Sequence, residues 1–420
     1  MGYPTSANIG TEYVGVQGFT KINDHFADAS QHERPVLNGK DFGMVGNNTG
    51  DNTTAFNAAQ VAAEAISAKL FIPKGTYRFT TSITPRSHIT VEGEGEGTVF
   101  SYTGAGTWCF MNNLNGVTWR DLMILGSASI FTLVQMDLCF DCYFENVRFR
   151  GTHSSSGTAR PDQIGLTMSN NCGMDFFTAC RFQKLGIGNL FEWTVGNTFT
   201  DCSYAECYVS VKGTAAATAS QTFQGCIFSC SATAADVNKT RQHILIPSQS
   251  GFWSVDNCWF EGANEALKIG DTTGGPSGMN ISNCHLASTS YNINLQQCRQ
   301  PLLTNIQFSD LGTGLPTHLY IDPTYCPAGT ALNLISIVGP SEIPLSVFPF
   351  DWFVMSRNHT QVPYAGIKIG GGPSIIQGYG SPEGVETAPM GSLFLRQDGA
   401  AATSLYVKTS GAGNTGWTAK

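Results

Sequence analysis

An apolar residue, a gap, a small polar residue, a cysteine, a second gap and an aromatic follow one another in VDNCWF at 255–260, and this frame returns along the chain. Aligned on the small residue, it runs through Asp121, Asp141, Ala179, Asp201, Gly225, Asn257, Asn283 and Asn305, with a loose period of 20 to 26 residues and two longer intervals. Between the frames lie short alternating segments: GLTM at 165, YVSV at 208, HILI at 243, ALKI at 266, NINL at 292 and HLYI at 318. Two or three period-2 strands in each unit of about 22 residues, with scarcely any helical periodicity, predict an all-β parallel β-helix. A leucine-rich solenoid would show its own leucine spacing and a helix in every unit, and neither is present. At the bend before each cysteine, Asn, Asp and Gly tolerate left-handed backbone and can stack their hydrogen bonds from coil to coil. The cysteine and the aromatic two residues after it then face inward, on counterparts about 4.8 Å above and below.

One segment departs from period 2. DNTTAFNAAQVAAEAISA, 51–68, predicts an amphipathic helix capped by Asp51 or Asn52, with Phe56, Val61, Ala62, Ala65 and Ile66 on its buried face. A solenoid exposes strand edges at its ends, so this helix is expected across the N-terminal mouth. KLFIPKGTYRFTTSI then begins the first coil as strand, turn and strand.

Composition narrows the function classes. Of 420 residues 41% are hydrophobic and only 13% charged, enough apolar material for a large core. The net charge of −8 lacks the basic face that nucleic-acid binding needs, so no nucleic-acid partner is expected. No apolar run reaches membrane-spanning length, and the opening residues lack the layout of a secretory signal. The 13 cysteines follow no zinc-ligand spacing and sit singly among apolar residues, which reads as buried, reduced thiols. No metal or cofactor is expected.

The stretch DFGMVGNNTGDNTTAFNAAQVAAEA, with LFIPKGTYRFTTSI and ITVEGEG after it, resembles the cap and first coils of pectate-lyase-like β-helices, above all phage tailspikes and capsule depolymerases. The C-terminal GSPEGVETAPMGSLFLRQDGAAATSLYVKTSGAGNTGWTAK is similar, nearly end to end, to a short segment on many phage tail fibres and spikes. The resemblance implies a right-handed β-helix in a homotrimeric tailspike that binds, and usually cleaves, a bacterial surface polysaccharide. It also implies synthesis in the bacterial cytoplasm, a place on the virion among tail proteins, and action at the host surface. The expected organisation is a lead-in or attachment segment at 1–40 and the β-helix at 41–338. A Pro/Gly-rich connector at 339–380 and a trimerisation or assembly segment at 381–420 follow.

The chemistry must come from outward residues and loops. Counting apolar positions as inward leaves Tyr208, Ser210, His243, Leu245, Lys268, Asn292, Asn294, His318 and Tyr320 facing out along one sheet, flanked by insertions at 145–162 and 229–241. Glycoside hydrolysis needs two carboxyl groups, one to protonate the leaving oxygen and one to activate water or attack. Glu206 and Glu261, two coils apart, with Asp236 and Glu265 between and beside them, are the expected catalytic acids. Tyr208, Arg241, His243, Trp259, Lys268, Asn292 and Asn294 are the expected substrate contacts, Trp259 by stacking on a sugar ring, although the same indole also suits a subunit contact. Trp193 and Trp253 read as core or turn packing, and Asp121, Asp141 and Asp201 as turn residues. A lyase is the rival mechanism, with His243, Arg241, Lys268 and Tyr208 supplying base and cation. A non-catalytic adhesin on the same scaffold is the third reading.

Overall fold

The computed structural model describes residues 35–154, 156–214, 220–230, 239–247, 251–310, 317–336, 348, 351–356, 366–369 and 372–420. The chain is a right-handed parallel β-helix of about 11 turns. Every coil presents three faces. A strand of the first face meets a strand of the second at a left-handed residue, sometimes within one continuous strand such as Thr118–Gly126 or Tyr143–Arg150. The third face is a separate nine-stranded parallel sheet that includes Gln163–Ser169, Val209–Gly213, Gln242–Ile246, Glu265–Ile269, Tyr291–Leu295 and Thr317–Ile321, where the alternating segments were expected.

The bend between the first two faces carries positive φ at Asp121, Asn146, Ala179, Asp201, Gly225, Asn257, Asn283, Asn305 and Asn333. Its side chains form a ladder: Asn146 Nδ2 donates to Asp121 Oδ1 at 2.7 Å, Asn305 to Asn283 at 3.1 Å and Asn333 to Asn305 at 2.9 Å. At Gly225 a Cβ would stand 2.3 Å from Asp201 Oδ1, so the side chain of the coil before excludes one here. Asp141 is a correction. The register of Tyr143 with Thr118 places it at the other end of the first face, in a second left-handed column with Gly116, Met174 and Gly196, and the true member of its coil is Asn146. The frame around Asp141 mimics the motif because both corners demand left-handed backbone beside a buried residue.

Inside, the cysteines after the bend stack as predicted, each thiol bonding to a carbonyl of the coil before, as from Cys202 to Phe177 at 3.3 Å and Cys226 to Phe199 at 3.4 Å. All 13 cysteines are free and buried, and burial pushes the thiol of Cys207 up to about 12. Phe149, Phe182, Tyr204, Phe228 and Phe260 form a continuous column of rings 4.6 to 4.9 Å apart. Phe177, Phe199 and Phe223 form a second. On the outer side of the first face one register row runs Thr118, Tyr143, Phe176, Thr198, Thr222, Ser254, Asn280, Leu302, Thr330 and Phe353 without a break.

The helix spans Thr53–Ala65, and Asp51 Oδ1 accepts from the Thr53 amide at 3.2 Å. Its buried face is Phe56, Ala59, Gln60 and Ala63, so Phe56 is as expected, whereas Val61, Ala65 and Ile66 are exposed and Ala62 is half-buried. The small alanines let the helix lie close while Phe56 alone reaches the rings of Phe79, Phe100 and Trp119, 5.3 to 6.2 Å away. Trp253 is in the core, but Trp193 is exposed at its turn. The described part of the C-terminal stretch has its own small core of Ile376, Ala388, Phe394, Tyr406 and Trp417. There the Glu383 carboxylate accepts from the Gly416 and Trp417 amides at 2.9 and 2.7 Å, and buried Lys408 donates to the Gly413 carbonyl at 2.7 Å, 5.5 Å from the Trp417 ring centre.

One interior acid gives a pH signature. Asp175 is fully buried, with Oδ1 accepting from the Cys142 amide at 2.9 Å and Oδ2 unpartnered, and burial pushes its carboxyl up to about 8. A folded-state value above the unfolded one near 3.8 means that its contribution is complete at low pH and is lost as pH rises from about 4 to about 8. Asp175→Asn should therefore melt higher than wild type at pH 8, and their difference should shrink by up to about 1.4 kcal/mol per unit as pH falls to 5. Parallel melting curves of the two proteins check this, and a pH-independent difference would refute it.

Candidate functional site

The expected site residues fall at the corner where the second face turns into the third. Trp259–Glu261 is the second-face strand of its coil and Glu265–Ile269 the third-face strand, with Gly262 in left-handed backbone between them. A Cβ at Gly262 would stand 2.0 Å from the Cys230 carbonyl, so the sharp turn and the close approach of the coil before both require glycine. Phe260 is inward, which makes Trp259 and Glu261 outward. Trp259 is 46% exposed, stacks on the His285 imidazole of the next coil at 3.9 Å, and donates its indole N–H to Glu261 Oε2 at 3.3 Å. His285 Nε2 meets Ser309 Oγ at 3.0 Å, while its buried Nδ1 has no partner. Burial lowers the His285 pKa, opposed by the nearby Glu261 charge.

Around the corner, Glu265 is held on both oxygens: Gln242 Nε2 donates to Oε2 at 2.6 Å and Asn294 Nδ2 to Oε1 at 2.7 Å, from the coils before and after. Lys268 lies in register between Leu245 and Asn294, and Tyr320 extends the row. Arg241 is exposed, and its amide donates to the Tyr208 carbonyl at 2.8 Å. Tyr208 is half-buried, 5.8 Å from the His153 ring. Glu206 sits at the same corner in left-handed backbone, φ 55°. Its neighbour Ala205 is in register with Ser229 and then Glu261, an axial offset of two coils, roughly 10 Å. Asp236 lies outside the described residues. The structure thus brings Glu261, Glu265, Trp259 and Lys268 to one coil with Arg241 on the coil before, while Glu206 and Tyr208 lie two coils along the axis.

His243, Asn292 and Asn294 are corrections, since all three are buried, Asn294 at 4% exposure with its amide on Glu265, and so are Ser210 and His318 in the column of His243. Ladder pairing on the third face skips the second residue of each strand, as between Val209↔Gln242 and Val211↔Ile244. There the strict alternation fails and two successive side chains are buried, His243 with Ile244 and Asn292 with Ile293. His243 lies among the Phe228 and Phe260 rings, donates from Nε2 to the Glu261 carbonyl at 2.9 Å, and meets the Ser210 hydroxyl through Nδ1 at 3.2 Å. Asn292 joins Ser288 and His318 at 2.8 and 2.9 Å. Polar residues in an apolar frame looked outward because partners such as Glu261, Ser210 and His318 come from other coils, which one strand's pattern does not show. His285 and Ser309 were missed for a related reason: the weak HLA and QFS frames show their pairing with Trp259 only once the register is known. The insertion expected at 145–162 begins only at 151, since Glu145 to Arg150 continue a strand.

Among the described residues no group of acids, histidines and cysteines is arranged to hold a metal ion, and no helix is long and apolar enough to cross a membrane. A depression of about 530 Å³ lined by Ser82, Ile83, Thr84, Thr107, Phe110 and Gln135 lies toward the N-terminal coils, and its lining has no ionisable side chain.

Residues 36–236 match the family model described as rhamnogalacturonase A/epimerase, pectate lyase-like. No curated protein matches the chain in sequence. Among solved structures, ORF18 of Geobacillus virus E2 superposes with a TM-score of 0.53 at 14% identity, over 100% of this chain and 90% of that one. The tailspike protein of E. coli bacteriophage HK620, solved as a mutant in complex with a hexasaccharide, superposes with a TM-score of 0.53 at 10% identity, over 79% of this chain and 64% of the tailspike.

Burial lowers the His243 pKa to about 4, so its contribution to stability is complete above about 6.5 and lost as pH falls to about 4. His243→Gln should abolish that component of acid destabilisation while lowering stability near neutral pH by roughly 1–3 kcal/mol, because it disturbs two buried hydrogen bonds. Denaturant titrations of both proteins at pH 7 and pH 4.5 test it, and an equal loss on acidification in both would count against it.

Proposed function

We propose that this chain, a parallel β-helix whose residues 36–236 match a pectate lyase-like family model, is a phage tailspike that binds a bacterial surface polysaccharide and cleaves it by glycosidic hydrolysis. The observation that carries the reading is the outward Trp259, stacked on His285 and bonded to the carboxylate of Glu261, with Glu265 around the corner in the same coil. An exposed indole offers a flat apolar surface to a sugar ring, and it fixes a carboxyl beside that surface. Glu261 and Glu265 are the favoured pair. Glu206 is a further acid two coils along the axis, Asp236 lies outside the described residues, and Tyr208, Arg241 and Lys268 supply polar contacts along the groove. A separation near 6.5–9.5 Å suits inversion, and the roughly 10 Å axial offset of Glu206 from Glu261 is less suitable than the shared coil of Glu261 and Glu265. Elimination is less well supported, because its expected base, His243, is buried and engaged through both ring nitrogens. The engagement of both Glu265 oxygens is what favours the adhesin alternative, in which that carboxylate only orders the groove. Residence on the virion, attachment to tail proteins and a trimeric assembly belong to the same proposal.

Incubation with purified capsule, O-antigen or exopolysaccharide of susceptible bacteria, following reducing ends and absorbance near 235 nm together, tests it. Hydrolysis should raise reducing ends alone; Glu261→Gln should lower kcat by about 10²–10⁴-fold, and Trp259→Ala should weaken binding by about tenfold. Absorbance rising with the reducing ends would establish a lyase instead, and binding without either would establish an adhesin.

A further inference from the structure

Two outward rows of the second face lead to the Trp259 corner. One runs Arg148, Arg181, Ser203, Ile227, Trp259, and its neighbour runs Arg150, Gln183, Ala205, Ser229, Glu261. Lys184 stands beside the second row in left-handed backbone, where the second face turns toward the third. Four cations therefore crowd two successive rungs of a chain whose net charge is −8. The carboxylate that answers them is Glu96, which accepts from Arg148 Nη1 at 2.8 Å and from Arg181 Nη1 at 2.8 Å. Arg150 and Lys184 have no ion pair among the described residues, and Arg148 Nε is buried without a partner. Glu145, the acid of the same strand as Arg148, lies across the left-handed Asn146 on the first face. Beyond the cations the two rows are uncharged for two rungs, Ser203 with Ala205 and Ile227 with Ser229, and then reach Trp259 and Glu261. At the corner beside them the sign reverses, from Lys184 to Glu206 one rung on.

Like charges placed directly opposite on neighbouring strands destabilise a sheet, and Arg148 and Arg181 are in register with each other. One shared carboxylate leaves that repulsion only partly relieved, so the cluster is suited to an anion from outside. Resting on the polysaccharide-cleaving reading, we propose that Arg150, Arg181 and Lys184 hold an anionic group of the glycan, a carboxylate or a phosphate, three to four rungs, roughly 14–19 Å, from the corner where the chain is cut. A guanidinium fork suits either anion, and Glu96 fixes the Arg181 fork in place. The same anion is repelled at Glu261 and Glu265, so the uncharged floor between the two ends carries neutral sugar units. The polysaccharide is therefore one whose repeat carries an acidic unit at a set distance from the bond that is broken.

The test uses the full chain, with Glu261→Gln as the parent for binding so that the ligand is not consumed. The probes are purified capsule, O-antigen and exopolysaccharide, each also in carboxyl-reduced and in dephosphorylated form. Arg150→Gln with Lys184→Gln should raise Kd about tenfold or more and flatten its dependence on salt. Lys40→Gln with Lys74→Gln removes the same charge from exposed positions away from the track and should leave Kd unchanged. Carboxyl reduction of the glycan should weaken parent binding equally and erase the difference between parent and variant if the group is a carboxylate, and dephosphorylation should do so if it is a phosphate. In the active chain the double variant should raise KM while kcat stays within about twofold. Should it fail to fold, salt titration of the unaltered protein replaces it, and salt-independent binding overturns the inference. An unchanged Kd in the double variant, or binding indifferent to both treatments of the glycan, overturns it as well. Those results with reducing ends still released remove the subsite alone; the expected shifts without any cleavage remove hydrolysis and leave the subsite; a chain that binds none of the probes overturns both.

Discussion

Everything in this molecule depends on keeping one coil in register with the next. Parallel pairing supplies the hydrogen bonds, but a slip by one residue would turn every inward side chain outward. Left-handed Asn, Asp and Gly at the bend remove that freedom, because amide bonds such as Asn305 to Asn283 and Asn333 to Asn305 form only when equivalent residues sit directly above one another. The ring columns from Phe149 to Phe260 enforce the same register from inside.

That constraint explains what the sequence disclosed. The bend residues, the stacked cysteines and the third-face strands were readable because each repeats a local chemical demand: left-handed backbone, a small buried thiol, period 2. Asp141 shows the limit, since two corners of one coil make the same demand and local pattern does not distinguish them. The helix was legible as a helix, but its buried face depends on which residues fit beneath Phe79, Phe100 and Trp119, and that selected Ala59 and Ala63 over the larger Val61 and Ile66.

The site was legible in part for the same reason. Trp259 and Glu261 flank the inward Phe260 in strict alternation and emerge outward. His243 and Asn292 occupy the column where alternation breaks, and only the register between coils reveals their partners Glu261, Ser210 and His318. A groove assembled one rung at a time can change a contact by substitution in a single coil, because the frame beneath it is specified independently.

The Phe56 plug gives the solenoid a direction. Each coil leans on its neighbours alone, so a β-helix can in principle unwind from either end, one rung after another. At the N-terminal mouth, peeling away the first rung also breaks the contacts of Phe56 with three aromatic rings belonging to three successive coils. That couples several rungs into one cooperative step and raises the kinetic barrier there. The helix thus ties the N-terminal mouth to the coils beneath it, so that end opens as one block and not rung by rung.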